Sequence, residues 1–338
     1  MSMPAGTRIS ESPVITAMTI PPQWESHSQS LQFSLGDYCL WRFHFQARVA
    51  DAPLTCYLDS PNLLQDLVPA TVETAMPYVI RSCPAPLSLP RLTFAGKYFR
   101  YVPVQYPRYY VVFKGSFEEY LGKFSPKSRY NLARSVRKLA ELGGGQVDWR
   151  QYRRPEEMAD FYQRANEVSK RTYQEQLLHE GFTGHVGSHE QLRALAERDA
   201  VRGYALFTSG QPIAYVLCRS YGDSLLYEGV GYDPDYRTYS TGSVLLYLLL
   251  ENMFAERAFR YLDFGEGDKW YKEFFSTDSA RCARVYYFPI EPAIISAITL
   301  HTVFNALTDL LGRALATLGL RNKIRRFLRA RALSGTEQ

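Results

Sequence analysis

Two spacings of apolar residues divide the chain. Toward its N-terminal side, short aromatic and β-branched runs (Tyr38–Phe45, Thr55–Leu58, Tyr98–Val104, Tyr109–Phe113) are punctuated by Pro84, Pro86, Pro90, Pro103 and Pro107. That pattern predicts strands and turns. One helix is predicted near Leu63–Ala75. Residues 1–30, rich in Ser, Pro and Thr and without a period, predict a loose leader.

From Ser125-Pro126 the spacing turns helical, with Ser as N-cap, Pro in the first turn and a stop at Gly143-Gly144-Gly145. Pro155–Arg171 and Glu190–Arg198 predict two further helices. Gly203–Thr208, Ile213–Ser220 and Ser224–Gly231, joined by tight Gly-containing turns, predict an antiparallel meander. An apolar helix from Gly242 to about Arg257 follows, then a strand Arg260–Gly265, a short helix around Trp270–Phe275 and a strand Ala283–Ile290. This order predicts a mixed α/β fold with a mostly antiparallel central sheet flanked by helices. The divisions it implies are a leader (1–30), an N-terminal lobe (31–114), a main domain (115–291) and a helical tail (292–338).

Composition adds the tail's charge. From Pro292 onward seven Arg or Lys stand against Asp309 and Glu337, so this segment carries the chain's whole formal charge of +5. The body is neutral and lacks a DNA-binding charge signature. The tail's apolar residues, from Ile294 to Leu318, keep near-helical spacing before the basic run Arg321–Arg331. Two readings stand open: a peripheral contact with an anionic membrane face, or packing on the body or on a second subunit of a homodimer. The five cysteines include no C-x-x-C pair, and neither a secretory signal nor a spanning apolar stretch is evident. The expectation is a cytoplasmic protein without a disulfide framework or metal site.

The loop-to-helix junction after the third meander strand carries the main chemical signal. It reads Gly231-Tyr-Asp-Pro-Asp-Tyr-Arg237-Thr-Tyr-Ser240-Thr241-Gly242-Ser243 before the apolar helix. Small residues at a helix start leave N–H groups open and favour an anion; simple capping is the other reading. Arg237-x-x-Ser240-x-Gly242 resembles the R/Q-x-x-G-x-G/A motif of the GNAT superfamily, with Ser240 in place of the first glycine. Asp263-Phe-Gly265-Glu-Gly267-Asp268-Lys-Trp-Tyr271-Lys272 is similar to the signature of the CelD- and FemAB-like branch of that superfamily. Ser125-Pro-Lys127-Ser-Arg129, with Arg134, Arg137 and Lys138, resembles that branch's basic entry helix. The likeness spans about Gly115 to Pro289.

The resemblance implies a GNAT fold, with two GNAT-like lobes suiting the length, and an acyl-CoA-dependent N-acyltransferase. Acetyl-CoA or another acyl-CoA would be the co-substrate, and the acceptor an amine on a small molecule or glycan precursor. It further implies a diphosphate site at Gly231, Arg237, Ser240, Thr241, Gly242 and Ser243. Attack on a thioester needs backbone donors for an oxyanion, and Gly229 and Gly231 are placed to splay the third strand. Glu228 beside them is the candidate base, Tyr271 the candidate acid, and Asp263 a carboxylate that orients the acceptor. Lys127, Arg129, Asp268 and Lys272 are candidate acceptor-binding residues. Each has a plainer reading: a surface charge for Glu228, aromatic core for Tyr271, a loop cap for Asp263 and a solvated helix for Lys127 and Arg129. Two rival functions stand beside this one: an aminoacyl transferase using charged tRNA, and a GNAT-like module without catalysis.

Overall fold

The computed structural model describes residues 24–35, 38–51, 76–172 and 187–317, together with Leu54, Leu58 and Phe182. The helix expected at Leu63–Ala75 and the basic run Arg321–Arg331 lie outside the described residues. Eleven strands among them form one sheet in the order β1-β2-β3-β11-β5-β10-β9-β8-β7-β6, with β4 on β5.

The first half supplies β1 (Trp24–Leu35), β2 (Tyr38–Asp51), β3 (Tyr78–Pro84), β4 (Leu92–Ala95) and β5 (Tyr98–Val112). Strand β1 takes in the last seven residues assigned to the leader. The two runs read as separate strands, Tyr98–Val104 and Tyr109–Phe113, form the single strand β5. Its prolines are accommodated by position: Val102 and Pro103 face the single Val285 across a bulge, and Pro107 pairs only with Arg281 of β11. Proline, lacking a donor, is tolerated at bulges and on one-sided stretches of strand.

Two helices follow, α1 (Phe117–Leu121) and α2 (Pro126–Leu142). Ser125 caps α2, its Oγ accepting from the Ser128 amide, and Gly143 closes it. Then come β6 (Asp148–Tyr152), α3 (Met158–Ser169), α4 (His189–Glu197), the meander β7 (Val201–Thr208), β8 (Gln211–Tyr221) and β9 (Ser224–Tyr232), and α5 (Thr241–Glu256). Helix α5 is apolar nearly all round and therefore buried, with Leu245, Leu249 and Leu250 inaccessible to solvent. It lies with α1 and α2 on one face of the meander; α3 and α4 cover the other through Phe161, Val168 and Leu192. The chain finishes with β10 (Tyr261–Asp263), α6 (Trp270–Phe275), β11 (Asp278–Pro289) and α7 (Pro292–Thr317).

Neighbouring strands are antiparallel except β2–β3 and β9–β10. The 114/115 division falls between β5 and α1, yet the strands on its two sides interleave: β11 inserts between β3 and β5, and β10 lies against β5. Helix α7 covers the N-terminal half of the sheet, where Ile298 is buried with Leu31, Val49 and Tyr286.

Candidate active site

Strand β9 is paired with β10 only over Ser224–Leu226, whose partners are Tyr261–Asp263. Beyond Leu226 no described strand flanks that edge, so the two parallel strands part at their C-terminal ends. On its other side β9 carries a bulge: Tyr227 faces Cys218 and Gly229 faces Leu217, leaving Glu228 as the extra residue. A bulge re-aims backbone groups and side chains next to it. The sequence placed this irregularity at Gly229 and Gly231; the register places it at Glu228. Glu228 is exposed and pairs with Arg219 at 2.9 Å.

Gly231 has a packing role. A Cβ there would lie 2.4 Å from the Tyr215 ring directly opposite on β8, so the residue must be small for that ring to fold over it. Its assignment to the diphosphate site lacks this contact, which the sequence could not reveal.

The chain leaves β9 through a 3-10 turn, Pro234–Tyr239, anchored by an aspartate that sequence reading passed over. Asp233 is buried, accepts from the Asp235 amide at 3.0 Å and pairs with Arg171 at 3.1 Å. The signal was available, because Asp-Pro is a strong turn initiator. Ser240 then adopts a left-handed conformation (φ 55°) and starts α5 without a side-chain cap. Among the described residues no carbonyl accepts from the amides of residues 241–243; the Val244 amide is the first bonded, to Ser240 at 3.0 Å. Thr241 is buried and its Oγ1 has no hydrogen-bond partner. A Cβ on Gly242 would meet only Tyr232, at 3.7 Å, so the glycine is required neither by a clash nor by its backbone angle. Open amides, an orphaned buried hydroxyl and the positive end of a 16-residue helix fit a bound anion. Arg237 is exposed on the turn above.

The Asp263–Lys272 stretch is built differently from its expected role. Asp263 is 2% exposed; Arg108 Nε donates to both its carboxylate oxygens at 3.0 Å, and it accepts from the Gly265 amide at 2.8 Å. Asp263 is therefore held as a loop cap and an ion-pair partner. Lys272 is drawn into the same loop. It is buried, and its Nζ donates to the Phe264 carbonyl at 2.7 Å and to the Glu266 carbonyl. Burial pulls its pKa down to about 8, against the opposing effect of Asp263. Both side chains are drawn inward because the loop after β10 presents backbone groups that need partners.

Beside them is a cluster the sequence did not disclose. Ser82, at φ 52°, lies 2.8 Å from Tyr106 Oη and donates to Glu266 Oε1 at 3.3 Å; Arg284 also binds Glu266. Burial would raise the Glu266 pKa, but Arg284 together with the Tyr106 and Ser82 hydrogen bonds outweighs it and holds the carboxyl below its usual range. Cys83 and Cys282 are buried nearby, and burial pushes both thiols up to about 12.

Tyr271 lies against Tyr227 and Phe264, with ring centroids 6.2 Å away in each case. Burial raises its hydroxyl pKa to about 12. Asp268 is exposed, with Tyr109 Oη at 3.5 Å. The two ends of α2 meet different parts of the site. Phe124, just before the helix, packs on Phe274 at 4.9 Å, so exposed Lys127 and Arg129 belong to the end beside α6. Lys138 belongs to the other end: it donates to the Thr238 carbonyl at 3.2 Å and lies 4.6 Å from the Tyr239 ring centre. Among the described residues no His, Cys, Asp or Glu side chains group as metal ligands.

Residues 126–273, from the first turn of α2 to the middle of α6, match the family described as acetyltransferase (GNAT) domain. Residues 126–273 are thus a GNAT acetyltransferase domain. Solved structures similar to it include the C-terminal domain of a putative lysylphosphatidylglycerol synthetase from Agrobacterium fabrum (10% identity, 84% of this chain and 89% of that one, TM-score 0.48). L-PGS from Bacillus licheniformis is similar at 12% identity over 85% of this chain and 90% of that one, TM-score 0.46. FemX is similar at 10% identity, 81% and 90% coverage and a TM-score of 0.46. Comparison with curated proteins gives no match.

Proposed function

We propose that the chain transfers an acyl group, acetyl in the simplest case, from acyl-CoA to an amine on a small molecule or glycan precursor. The observation that carries this reading is the juxtaposition of two open features at one end of the sheet. The unpaired edge of β9 beyond Leu226 and the uncapped start of α5, with its orphaned Thr241 hydroxyl, are joined by a single turn. A diphosphate at the helix start would take the amides of 241–243, with Arg237 and Ser240 beside it. The pantetheine arm would then run along the β9 edge as an added strand does, hydrogen-bonding to its backbone.

In this reading the amine nitrogen bonds to the acyl carbon and the carbon–sulfur bond breaks. Backbone donors beside the bulge face the carbonyl oxygen as it gains charge. Glu228 receives the amine proton directly or through water, with Arg219 as its counter-ion. Tyr271, by its place in the Asp263–Lys272 motif, is the group assigned to the sulfur. With its pKa raised to about 12 it is a weaker acid than a thiol, so it would donate a hydrogen bond to the leaving thiolate and keep its proton. Asp268, Lys127 and Arg129, all exposed, are the groups left to meet an acceptor.

Titration calorimetry with acetyl-CoA tests the reading. Wild type should bind, Thr241→Val should bind more weakly, and Gly242→Trp should not bind. Unchanged affinity in Gly242→Trp would refute the assigned mouth.

A further inference from the structure

We propose that α7 is an interfacial helix that lays one face on the surface of an anionic lipid bilayer. Leu300, Val303, Leu307, Leu310 and Leu311 are 56%, 51%, 54%, 63% and 54% exposed. At 3.6 residues per turn these five positions fall within an arc of roughly 100°. Surface helices of soluble proteins turn such a stripe inward. Here the inward stripe is a different one. Ile298 is buried, His301 is bonded to Tyr101 Oη at 2.6 Å and to the Gln32 carbonyl at 3.0 Å, and Phe304 lies 5.5 Å from Phe33. The body therefore fixes the helix with its leucine stripe pointing away from the sheet.

Charge identifies the occupant. The seven Arg and Lys between Arg313 and Arg331 include no acid among them. Such a run favours anionic headgroups within a Debye length of the surface. A second copy meeting this face with the two helices parallel would bring two such runs together, and like charges oppose that contact. Trp41 extends the same surface. It is 51% exposed, its ring is 4.8 Å from Phe33, and tryptophan is enriched at the level of the headgroups. No helix among the described residues is long and apolar enough to cross a membrane, so the contact proposed is one that lies in the interface.

The experiment is flotation of the full chain with vesicles of phosphatidylcholine alone and of phosphatidylcholine mixed with phosphatidylglycerol. Binding is expected to the mixed vesicles and to weaken with salt. Leu300→Ser with Leu307→Ser and Leu311→Ser, all at exposed positions, should keep the melting temperature and lower partitioning by at least about tenfold. Arg325→Glu with Arg326→Glu and Arg329→Glu should remove the preference for anionic vesicles. Failure of the full chain to float with the mixed vesicles overturns the proposal, as does equal partitioning of the leucine variant. A dimer in light scattering that the leucine variant converts to monomer would assign the face to a second copy instead.

Discussion

Arg108 on β5 donates from Nε to both carboxylate oxygens of Asp263, at the end of β10, at 3.0 Å, and from Nη2 to Oδ2 as well. One residue comes from the N-terminal half of the chain and the other from the GNAT domain. Both side chains are almost wholly buried. Removing one partner of such a pair leaves an uncompensated charge, at a cost of about 3–5 kcal/mol. Asp263→Asn should therefore lower stability by about that much in urea denaturation. Arg108→Met with Asp263→Leu should recover part of the loss. Full stability in Asp263→Asn, with activity abolished, would return Asp263 to a direct catalytic role.

Gly231→Ala forces a methyl group into the Tyr215 ring. Overpacking of this kind costs about 1–3 kcal/mol, read as a fall in melting temperature. Adding Tyr215→Leu should restore most of it. A variant of normal stability that no longer binds acetyl-CoA would instead show that the glycine admits the ligand.

Tyr271→Phe separates two roles by size. Loss of one hydrogen bond to the charged thiolate should lower kcat by about tenfold to a hundredfold. Loss of a general acid should lower it by about a hundredfold or more. The first result is expected, with acetyl-CoA affinity unchanged in calorimetry.

Lys272 makes stability depend on alkaline pH. Its pKa is pulled from 10.5 to about 8 on folding. Below both values the two states are equally charged. Between them the unfolded chain holds the extra proton, so stability rises with pH. Wild type measured against Lys272→Met should gain on the order of 3 kcal/mol between pH 8 and 10.5. A flat difference between the two proteins would mean that the ammonium is solvated.

His301 gives the opposite end of the pH range its own signature. The Gln32 carbonyl can only accept, so Nε2 carries the proton and Nδ1 accepts from Tyr101 Oη. Burial lowers the folded pKa below 6.5, outweighing the Gln32 bond that raises it. Stability from this group is present above pH 6.5 and is lost as the pH falls through the folded value. Wild type should therefore lose more stability than His301→Leu between pH 7 and 5. Equal slopes would place the imidazole in water.

What the sequence disclosed was mostly local. Ser125-Pro126 and Gly143 mark α2 because capping and termination act within a few residues. The meander was legible because Gly210 and Gly222 take the positive φ its turns require. Strand β6 was missed: Asp-Trp-Arg-Gln-Tyr has too few β-branched residues to announce itself, and its place comes from pairing with β7. Lys272 reads as a ligand-binding cation in a charged motif, and only the fold around Phe264 and Glu266 shows its ammonium turned inward. The contacts of Ser82 with Glu266 and of Arg108 with Asp263 join residues 184 and 155 positions apart, beyond the reach of any local pattern.

The interleaving of β11 has a consequence for biosynthesis. Strands β3 and β5 are completed by residues 278–289, which leave the ribosome after the entire GNAT domain. The N-terminal half therefore waits with two unsatisfied edges while its successor is translated. A nascent chain stalled before Asp278 should be a better chaperone client than one arrested after Pro289.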